Sequence, residues 1–300
     1  MKPIIILILI LFLFKGIIVG QIKNDTSSSF FDQQIPENHA ELFAEGIVSY
    51  PFMNHSSVTI SKDMNEMYWS KWYDDEGREE VVFSKHENGK WSMPERASFS
   101  GIYSDDSPFF APDGKRLYFL SRRPVKHGST SKKENIWYVE RDDSQGWSEP
   151  EPLSHVINSG QLHWQFSIAQ NKNVYYSTDE GIKVSKYIKG EYQEPVLISE
   201  VMNSKYMGEH PYISPNEDYI LFASGKIFNS FGKNDLYIGY KNADGEWCDP
   251  INLGKLINGK KGDMCPVISP DENLLFFVKH DDVFNVYWIK ADFIKALNPF

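Results

Sequence analysis

The segment PFFAPDGKRLYF at residues 108–119 recurs without gaps at residues 211–222 as PYISPNEDYILF and at residues 266–277 as PVISPDENLLFF. Two weaker copies follow the same scheme. The aligned apolar positions of the five copies lie 50, 58, 45 and 55 residues apart, at Ile60, Phe110, Ile168, Ile213 and Ile268. A repeat of about 50 residues with strand-forming chemistry is typical of the blades of a β-propeller.

Each copy except the last is followed by a second signature, which begins with glycine and ends with proline around an aromatic residue. The four instances are GKWSMP at 89–94, GWSEP at 146–150, GEYQEP at 190–195 and GEWCDP at 245–250. With the strand between the two signatures, every unit holds four strands, named a to d, and strand d is predicted to begin at the aromatic residue. Asp, Asn and Gly between strands a and b suit a tight hairpin. Because Trp91, Trp147 and Trp247 share one repeat position, we interpret them as packing between blades rather than as a carbohydrate surface.

The fifth unit ends without the second signature. At the other end of the chain, residues 42–49 resemble residues 97–104, which follow a strand d. We therefore expect the N-terminal segment to supply strand d of the last blade, which closes the ring and removes an exposed sheet edge. The predicted fold is an all-β propeller of four-stranded antiparallel blades, with five blades preferred and six as the alternative, in a single domain over residues 41–300.

Residues 1–20 have the pattern of a secretory signal peptide. Lys2 precedes an unbroken apolar run from Ile4 to Phe14, and the small residue Gly20 marks a cleavage point. The run is shorter than the ~20 apolar residues that span a bilayer. We therefore predict an exported protein, periplasmic or extracellular, without stable membrane insertion after cleavage; an uncleaved anchor is the alternative. Residues 21–40 are polar and predict a flexible leader.

The composition excludes several classes of protein. With 31 basic and 41 acidic residues the formal net charge is −10, whereas a nucleic-acid binder needs a basic surface. Two cysteines are too few for a four-cysteine zinc site or a disulfide-stapled small fold. Cys248 and Cys265 start strands near opposite faces, so we expect separate thiols; pairing in an oxidising compartment is the alternative. The protein is expected to be a monomer without cofactor or metal.

The pattern Ser/Ala-Pro-Asp/Asn-Gly-x-x-Leu-x-Phe underlies residues 111–119, 214–222 and 269–277. It resembles the WD40-like propeller repeat of TolB-type periplasmic proteins, and the resemblance extends over all five units, although the first and third lack the proline. The resemblance implies a propeller but no particular activity, since members of this broad group bind protein partners or saccharides or flank peptidases. The chain contains no sialidase-type Asp-box and no Gly-x-Ser-x-Gly elbow.

Loop length distinguishes two faces of the predicted propeller. Because the strands alternate in direction, the a–b and c–d turns share one face, here called the turn face. The b–c and d–a connections share the other, the long-loop face. Long, irregular connections at residues 122–135, 155–164, 201–210 and 225–234 all belong to the long-loop face. Variable loops on a rigid scaffold carry many ligand sites, so we expect partners on this face.

The residues just before strand a should approach the central channel on the long-loop face. They are His55, Ser56, Asp105, Asp106, His163, Trp164, Glu209, His210 and Asp263. Imidazole and carboxylate groups around one axis could bind a polar ligand or a divalent cation. Polar loop residues that only face water are the competing interpretation, and no His-x-x-x-His spacing supports a metal.

Two further features mark the long-loop face. The loop with Arg122 and Arg123 carries the one basic cluster of the chain, which could bind an anionic glycan or an acidic partner. Phe228 and Phe231 lie in the other long loop, where aromatic residues could stack on sugar rings or anchor a protein. A solvated insertion loop, and phenylalanines folded back onto the blade, are the competing interpretations. Trp72 is a further aromatic residue of the long-loop face.

Two functions remain from different classes. The first is an exported non-catalytic binding or scaffold propeller that engages a protein or glycan partner through the long-loop face. The motivation is a complete scaffold without a catalytic signature. The alternative is a carbohydrate-active hydrolase or lyase that uses the histidine and carboxylate ring at the channel mouth, because acid–base hydrolysis needs two carboxyl groups about 5–10 Å apart.

Overall fold

The computed structural model describes residues 29–50, 56–125, 133–142, 146–160, 162–225 and 230–300, except for the side chains of residues 163, 164 and 204. The predicted signal peptide lies outside the described residues. Five antiparallel sheets, each with four principal strands, form blades in a ring around a central channel. The preferred number of five blades is confirmed, and the alternative of six is wrong. No helix among the described residues is long and apolar enough to cross a membrane.

The strands are numbered in chain order and fall into blades. Three short strands come first: β1 (Ser29–Phe30), β2 (Gln33–Gln34) and β3 (Glu41–Leu42). Blade 1 contains β4 (Thr59–Ile60), β5 (Glu66–Tyr73), β6 (Arg78–Glu87), β7 (Lys90–Trp91) and β8 (Glu95–Arg96). Blade 2 contains β9 (Asp105–Phe110), β10 (Arg116–Ser121), β11 (Asn135–Glu140) and β12 (Glu151–Pro152).

The remaining three blades follow the same plan. Blade 3 contains β13 (His163–Ile168), β14 (Val174–Thr178), β15 (Gly181–Ser185), the hairpin of β16 (Tyr187–Ile188) and β17 (Glu191–Tyr192), and β18 (Val196–Leu197). Blade 4 contains β19 (Glu209–Ile213), β20 (Tyr219–Ser224), β21 (Asp235–Tyr240) and β22 (Ile251–Asn252). Blade 5 contains β23 (Gly262–Ile268), β24 (Leu274–His280), β25 (Phe284–Lys290) and the N-terminal β3. The helical pieces are α1 (His155–Asn158), a π-helical turn (Val201–Lys205) and α2 (Asp292–Leu297).

The a–b hairpins of all five blades share one backbone geometry. Each places a left-handed residue, with φ from 60° to 73°, four positions after the aligned apolar residue. These residues are Met64, Gly114, Lys172, Glu217 and Glu272. A serine hydroxyl accepts the N–H of the returning strand, from Glu66 to Ser61 at 2.9 Å and from Leu274 to Ser269 at 3.0 Å. The turn therefore forms even in copies that lack the Pro-Asp-Gly sequence.

Strand d begins later than the sequence predicts. The ladder to strand c starts after the proline, at β8 in blade 1 and at β12 in blade 2. The aromatic residues instead pair with the far end of strand c, where Trp91 lies opposite His86 and Trp147 opposite Arg141. Proline has no N–H to donate, so it interrupts the ladder and divides strand d in two.

The N-terminal segment closes the ring, as predicted. Leu42 of β3 lies opposite Tyr287 of β25, in antiparallel pairing. The fully buried ring of Phe43 packs between Phe276 and Trp288, with centroids 5.0 and 5.1 Å away. Only Glu41–Leu42 pairs as a strand, which is shorter than the segment 42–49 that the sequence suggests.

Part of the expected flexible leader is folded, which corrects the prediction for residues 29–40. β1 and β2 pair as a hairpin. The ring of Phe30 lies 5.3 Å from Trp91, and the buried Phe31 lies 5.5 Å from Phe43. Two adjacent phenylalanines in an otherwise polar stretch gain enough apolar burial to fix this segment on the closing blade.

A polar side chain in each d–a connection binds the backbone of strand c. These five residues, here called the loop clamps, are Ser49, Ser100, Asn158, Asn203 and Asn258. Asn203 accepts the N–H of Ile182 at 2.7 Å and donates to the carbonyls of Ile182 at 3.2 Å and Ser199 at 2.9 Å. Because the clamps satisfy backbone groups that no strand reaches, they set where each long loop leaves the blade.

Adjacent blades are joined by hydrogen bonds as well as by apolar packing. Thr59 of blade 1 accepts the N–H of Phe110 of blade 2 at 3.0 Å. Trp147 of blade 2 donates from Nε1 to the hydroxyl of Tyr68 in blade 1 at 3.0 Å. The interpretation of the repeated tryptophans as packing between blades is thereby confirmed for Trp147.

Candidate ligand site on the long-loop face

Strand a carries a β-bulge near the long-loop face in blades 2 to 5. In three of these blades a residue near the bulge has a left-handed φ of 48° to 53°: Ser107, His210 and Cys265. The residues predicted to precede strand a therefore lie within it, and β9 begins at Asp105. A bulge redirects the side chains around it. Residues of the predicted ring that are adjacent in the sequence therefore face different parts of the protein.

One layer of buried side chains occupies the channel below the long-loop face. It contains the residue three positions before each aligned apolar residue: Ser57, Ser107, Gln165, His210 and Cys265. The cavity beside Ser57, Ser107 and Gln165 measures about 10 Å³, room for one water molecule at most. Burial lowers the pKa of His210 to about 4, so its imidazole is uncharged at neutral pH. The cavity beside Ser57, Ser107 and Gln165 has no space for a larger ligand.

Asp105 and Asp263, two of the predicted channel residues, are engaged inside their blades. The buried carboxylate of Asp105 accepts from Nη2 of Arg123 at 2.8 and 3.0 Å and from the hydroxyl of Ser100 at 2.8 Å. Asp263 accepts from Nζ of Lys279 at 3.0 Å. Burial raises the pKa of both carboxyl groups. These two residues therefore stabilise the loops rather than present a charge to the channel.

The two arginines of the basic loop have different surroundings. Arg123 is buried, and its guanidinium lies 5.0 Å from the ring of Phe119 and 5.5 Å from that of Tyr103. Arg122 is exposed and donates from Nε and Nη2 to Oε1 of Glu134 at 3.0 and 2.7 Å. Arg123 thus fixes the base of the loop, whereas Arg122 remains accessible from solvent.

Other predicted site residues lie apart from one another. Phe231 is 40% exposed, its N–H donates to Asp235 at 2.8 Å, and its ring lies 5.7 Å from Nζ of Lys255. Glu209 is partly exposed in β19. His55 and Phe228 lie outside the described residues, as do the side chains of His163 and Trp164 in β13. The structure therefore assembles only part of the predicted ring.

Asp106 faces a carboxyl group of the neighbouring blade. Its side chain is hydrogen-bonded to Glu79 of β6, and its Oδ1 atom is buried without a hydrogen-bond partner among the described residues. Two carboxyl groups bond to each other only when one carries a proton. Burial, together with the nearby charges of Glu79 and Glu134, raises the pKa of Asp106 well above its ordinary value. Burial therefore favours the protonated form of Asp106, and Asp106 and Glu79 are here called the acidic pair.

Two exposed aromatic residues, Trp72 and Tyr103, belong to chain segments that contact Glu79 of the acidic pair. Trp72 lies directly opposite Glu79 in the antiparallel ladder, so both side chains project from the same side of blade 1. Its Nε1 donates to Asp74 at 2.6 Å, which orients the indole. The hydroxyl of Ser104, next to Tyr103, accepts the N–H of Glu79 at 3.4 Å. Trp72 and Tyr103 are 37% and 38% exposed, so the long-loop face has two accessible aromatic side chains on the segments next to Glu79.

Sequence reasoning missed Glu79 and Tyr103. Glu79 begins a strand c, and nothing in the repeat alignment shows which residue of the next blade it will meet. The available signal was the pair Glu79-Glu80 directly before the apolar Val81-Val82, because charges at the start of a buried strand require partners. Within the described residues, no group of three or more His, Cys, Asp or Glu side chains is arranged to hold a metal ion.

We expect Asp106→Asn to stabilise the protein at about pH 8 by about 1 kcal/mol, and by progressively less as the pH falls toward about 4. A raised pKa means that the folded state binds a proton that the unfolded chain has released. The stability of the natural protein therefore falls as the pH rises from the ordinary carboxyl range toward the pKa of Asp106 in the folded state. The amide of the Asp106→Asn variant does not titrate, so the variant lacks this loss. Urea unfolding across this pH range measures the difference.

The groups that face Asp106 are Glu79 on β6, Glu134 at the base of the basic loop and Arg122 at the end of β10. Asp113→Asn, an exposed change in a turn of the same blade, is the matched control and should show no such trend. A gain from Asp106→Asn that is the same at every pH would contradict the raised pKa of Asp106.

Comparison with known proteins adds structural neighbours only. No protein-family model and no curated protein sequence matches the chain. A putative TolB from Agrobacterium tumefaciens has a TM-score of 0.50 and 14% identity, and the match covers 81% of this chain and 79% of that chain. The catalytic domain of an α-L-arabinofuranosidase from Coprinopsis cinerea has a TM-score of 0.51 and 12% identity, covering 85% of this chain and 98% of that chain.

A third neighbour is the native arabinanase of Bacillus subtilis, with a TM-score of 0.51 and 14% identity, covering 83% of this chain and 97% of that chain. At these identities the likeness concerns the fold alone. It agrees with the TolB-like propeller that the repeat resembles.

Proposed function

We propose that this protein is a non-catalytic binding propeller of the cell envelope, which binds a glycan on the long-loop face where blades 1 and 2 meet. The observation that carries the proposal is the position of Trp72 and Tyr103, both exposed, beside the acidic pair. Aromatic faces stack on the apolar faces of sugar rings, and carboxyl oxygens accept from sugar hydroxyls. Stacking surfaces and carboxyl acceptors for sugar hydroxyls are therefore combined where blades 1 and 2 meet.

Oδ1 of Asp106, which has no hydrogen-bond partner among the described residues, supports this proposal. A buried acceptor without a donor costs free energy, and a ligand hydroxyl that reaches it removes that cost. The aromatic side chains are also oriented before binding, since Trp72 donates to Asp74 and Tyr103 lies beside the guanidinium of Arg123. Preorganised groups lose less conformational entropy when a ligand binds.

The size of the site favours a glycan over a protein partner. A stable protein interface buries about 1,200–2,000 Å² in total. Trp72, Tyr103 and the acidic pair offer contacts on the scale of one or two sugar rings. Binding of a protein without any glycan binding is therefore the outcome that would redirect the proposal to a protein partner.

A carbohydrate-active hydrolase is the second candidate, and one observation favours it. The raised pKa of Asp106 is the property of a general acid, and two of the similar folds carry the names of an arabinofuranosidase and an arabinanase. However, Asp106 and Glu79 are in hydrogen-bond contact, closer than the about 5–10 Å that separates the two carboxyl groups of glycosidases. Binding is therefore the better-supported function of this pair.

Export belongs to the same proposal. The signal-peptide pattern of residues 1–20 supports delivery to the periplasm or the outside of the cell, where polysaccharides are available. Fractionation of cells that produce the tagged full chain tests it, and N-terminal sequencing of the exported protein locates the cleavage point. Retention of the tagged chain in the cytoplasm would contradict this part of the proposal.

We expect Trp72→Ala and Tyr103→Ala each to weaken binding of the best glycan on an array about tenfold, because each removes a stacking surface. The dissociation constants are measured by isothermal titration calorimetry with the purified glycan. Met93→Ala, which removes an exposed apolar side chain at the c–d turn on the opposite face of blade 1, is the matched control.

Unchanged affinity in both aromatic variants would place the glycan elsewhere. The same polysaccharides are also incubated with the protein, and the reducing ends are counted. Release of sugars that Asp106→Asn abolishes would favour the hydrolase over the binding protein.

A further inference from the structure

Two cavities lie along the central channel among the residues that the structure describes. Phe109 and Val267 line both the small polar cavity near the long-loop face and a larger cavity of about 200 Å³ that opens between the a–b turns. The ring of Phe109 lies 6.4 Å from Tyr212 and 6.1 Å from Phe166. These apolar side chains form the floor of the larger cavity, which opens toward the turn face and is here called the turn-face cup.

The walls of the turn-face cup are apolar, and all five blades contribute to them. The five aligned apolar residues of the sequence repeat, Ile60 to Ile268, line the cup together with Tyr212. Lys62 and Gln170 stand on its rim, and both are exposed. An apolar cavity of about 150 Å³ holds one molecule the size of benzene. The cup therefore has room for a single ring with a short substituent.

Positive charge lies on one side of the cup. A second cavity of about 190 Å³, which shares Pro112 and Gln170 with the cup, is lined by Lys115 and Lys172. Neither Lys62 nor Lys115 forms an ion pair within the described part of the chain. In a protein with a net charge of −10, exposed lysines around an apolar cavity make a local site for an anion.

The acidic groups near these lysines are already engaged. Glu140 is paired with Arg116, with 2.6 Å between Oε1 and Nε, and Asp113 accepts the backbone N–H of Lys115 at 2.9 Å. Lys62, Lys115 and Lys172 are the basic side chains of the two cavities that have no ion pair among the described residues, and Asp113, although hydrogen-bonded, keeps its negative charge. The lysine side chain is long and flexible, so its ammonium group can follow a ligand that moves within the cup.

We propose that the turn-face cup is a binding site for a small amphipathic carboxylate, which places one aromatic or branched aliphatic group in the cup. Its carboxylate meets Lys62, Lys115 or Lys172 at the rim. The apolar group gains free energy from leaving water, and the charge fixes the orientation. This site is independent of the glycan site, because the floor of the cup separates it from the long-loop face.

The test uses 3-phenylpropionate as the probe and the purified protein. Titration followed by ligand-observed NMR should give saturable binding, with a dissociation constant on the order of 1 mM or tighter for a ligand of this size. The alcohol and the amine of the same length, 3-phenylpropan-1-ol and 3-phenylpropylamine, should bind about tenfold more weakly, because they lack the negative charge.

Two variants localise the binding. Lys62→Glu should weaken 3-phenylpropionate binding about tenfold by replacing attraction with repulsion. Lys260→Glu makes the same change of charge on the long-loop face and should have no effect. Gln170→Trp, at the exposed rim, should obstruct the cup and abolish binding, and circular dichroism confirms that each variant is folded.

Three results would overturn the proposal. They are no saturable binding of 3-phenylpropionate up to about 10 mM, equal binding of the amine, or binding that Lys62→Glu and Gln170→Trp both leave unchanged. Trp72→Ala, by contrast, should leave 3-phenylpropionate binding intact whether or not the glycan proposal holds. If it instead abolished that binding in a folded protein, the probe would occupy the long-loop face and the cup would not be its site.

Discussion

Asn203→Ala should lower the free energy of unfolding by about 3 kcal/mol, because it leaves buried backbone groups without partners. The side chain is 5% exposed and makes three hydrogen bonds, to the N–H and the carbonyl of Ile182 and to the carbonyl of Ser199. Alanine makes none of them. Equilibrium unfolding in guanidinium chloride measures the change from the midpoint and the slope.

The control is Asn216→Ala, an exposed asparagine in the a–b turn of blade 4, which should cost less than about 0.5 kcal/mol. Asn203→Asp keeps the oxygen that accepts from Ile182 but loses both donors, so we expect an intermediate loss of stability. If Asn203→Ala were no more destabilising than Asn216→Ala, the clamp would contribute nothing to stability.

The arrangement of the blades could be predicted from the sequence because the repeat fixes it. Ile60, Phe110, Ile168, Ile213 and Ile268 occupy one position in five copies, and each copy must pack against its neighbours. Closure by the N-terminal strand could be predicted from two observations. The second signature is missing after Trp288, and residues 42–49 resemble residues 97–104. The start of strand d is the exception within the repeat, because the proline delays its ladder to strand c.

The loop clamps show a repeat that could have been found and was not. Ser49, Ser100, Asn158, Asn203 and Asn258 recur at spacings of 51, 58, 45 and 55 residues, in step with the apolar positions. They are easily missed because serine alternates with asparagine and the surrounding loops share no other sequence. Their role becomes visible only when the side chain is seen on the backbone of strand c.

The candidate site resisted prediction for a different reason. Asp105 and Asp106 are adjacent, yet Asp105 turns into its own blade to meet Arg123, while Asp106 crosses to Glu79 of the previous blade. Consecutive residues of a strand face opposite sides, and the bulge at Ser107 changes the phase again. A sequence pattern without coordinates therefore cannot decide which of the two carboxyl groups is available.

The two faces of the propeller differ in chemistry as well as in loop length. The polar layer from Ser57 to Cys265 and the acidic pair belong to the long-loop face, whereas the apolar cup belongs to the turn face. Phe109 and Val267 lie between the two cavities that the described residues form on these faces. Variants on one face should therefore leave binding at the other unchanged.

Phe43→Ala should lower the free energy of unfolding by about 4 kcal/mol, because a fully buried aromatic side chain is removed and a cavity remains. The ring packs between Phe276 and Trp288 and against Phe30 and Phe31 of the N-terminal hairpin. Only Glu41–Leu42 pairs with β25, so hydrogen bonds alone hold the closing strand weakly. Loss of this side chain should also free the edge of β25, and light scattering on warming should report earlier aggregation.

Phe300→Ala, which removes a phenylalanine that is 68% exposed at the end of the chain, is the matched control and should leave both measurements unchanged. Phe43→Leu fills most of the cavity and should lose about 1–2 kcal/mol, which separates the effect of volume from any effect of the aromatic ring. The opposite result would be a loss of less than about 1 kcal/mol for Phe43→Ala without earlier aggregation. In that case the pairing of β3 would be the main closure of the propeller, and the N-terminal side chains would be dispensable. The larger loss is expected because every other blade builds strand d from its own repeat, whereas blade 5 must recruit it from the opposite end of the chain.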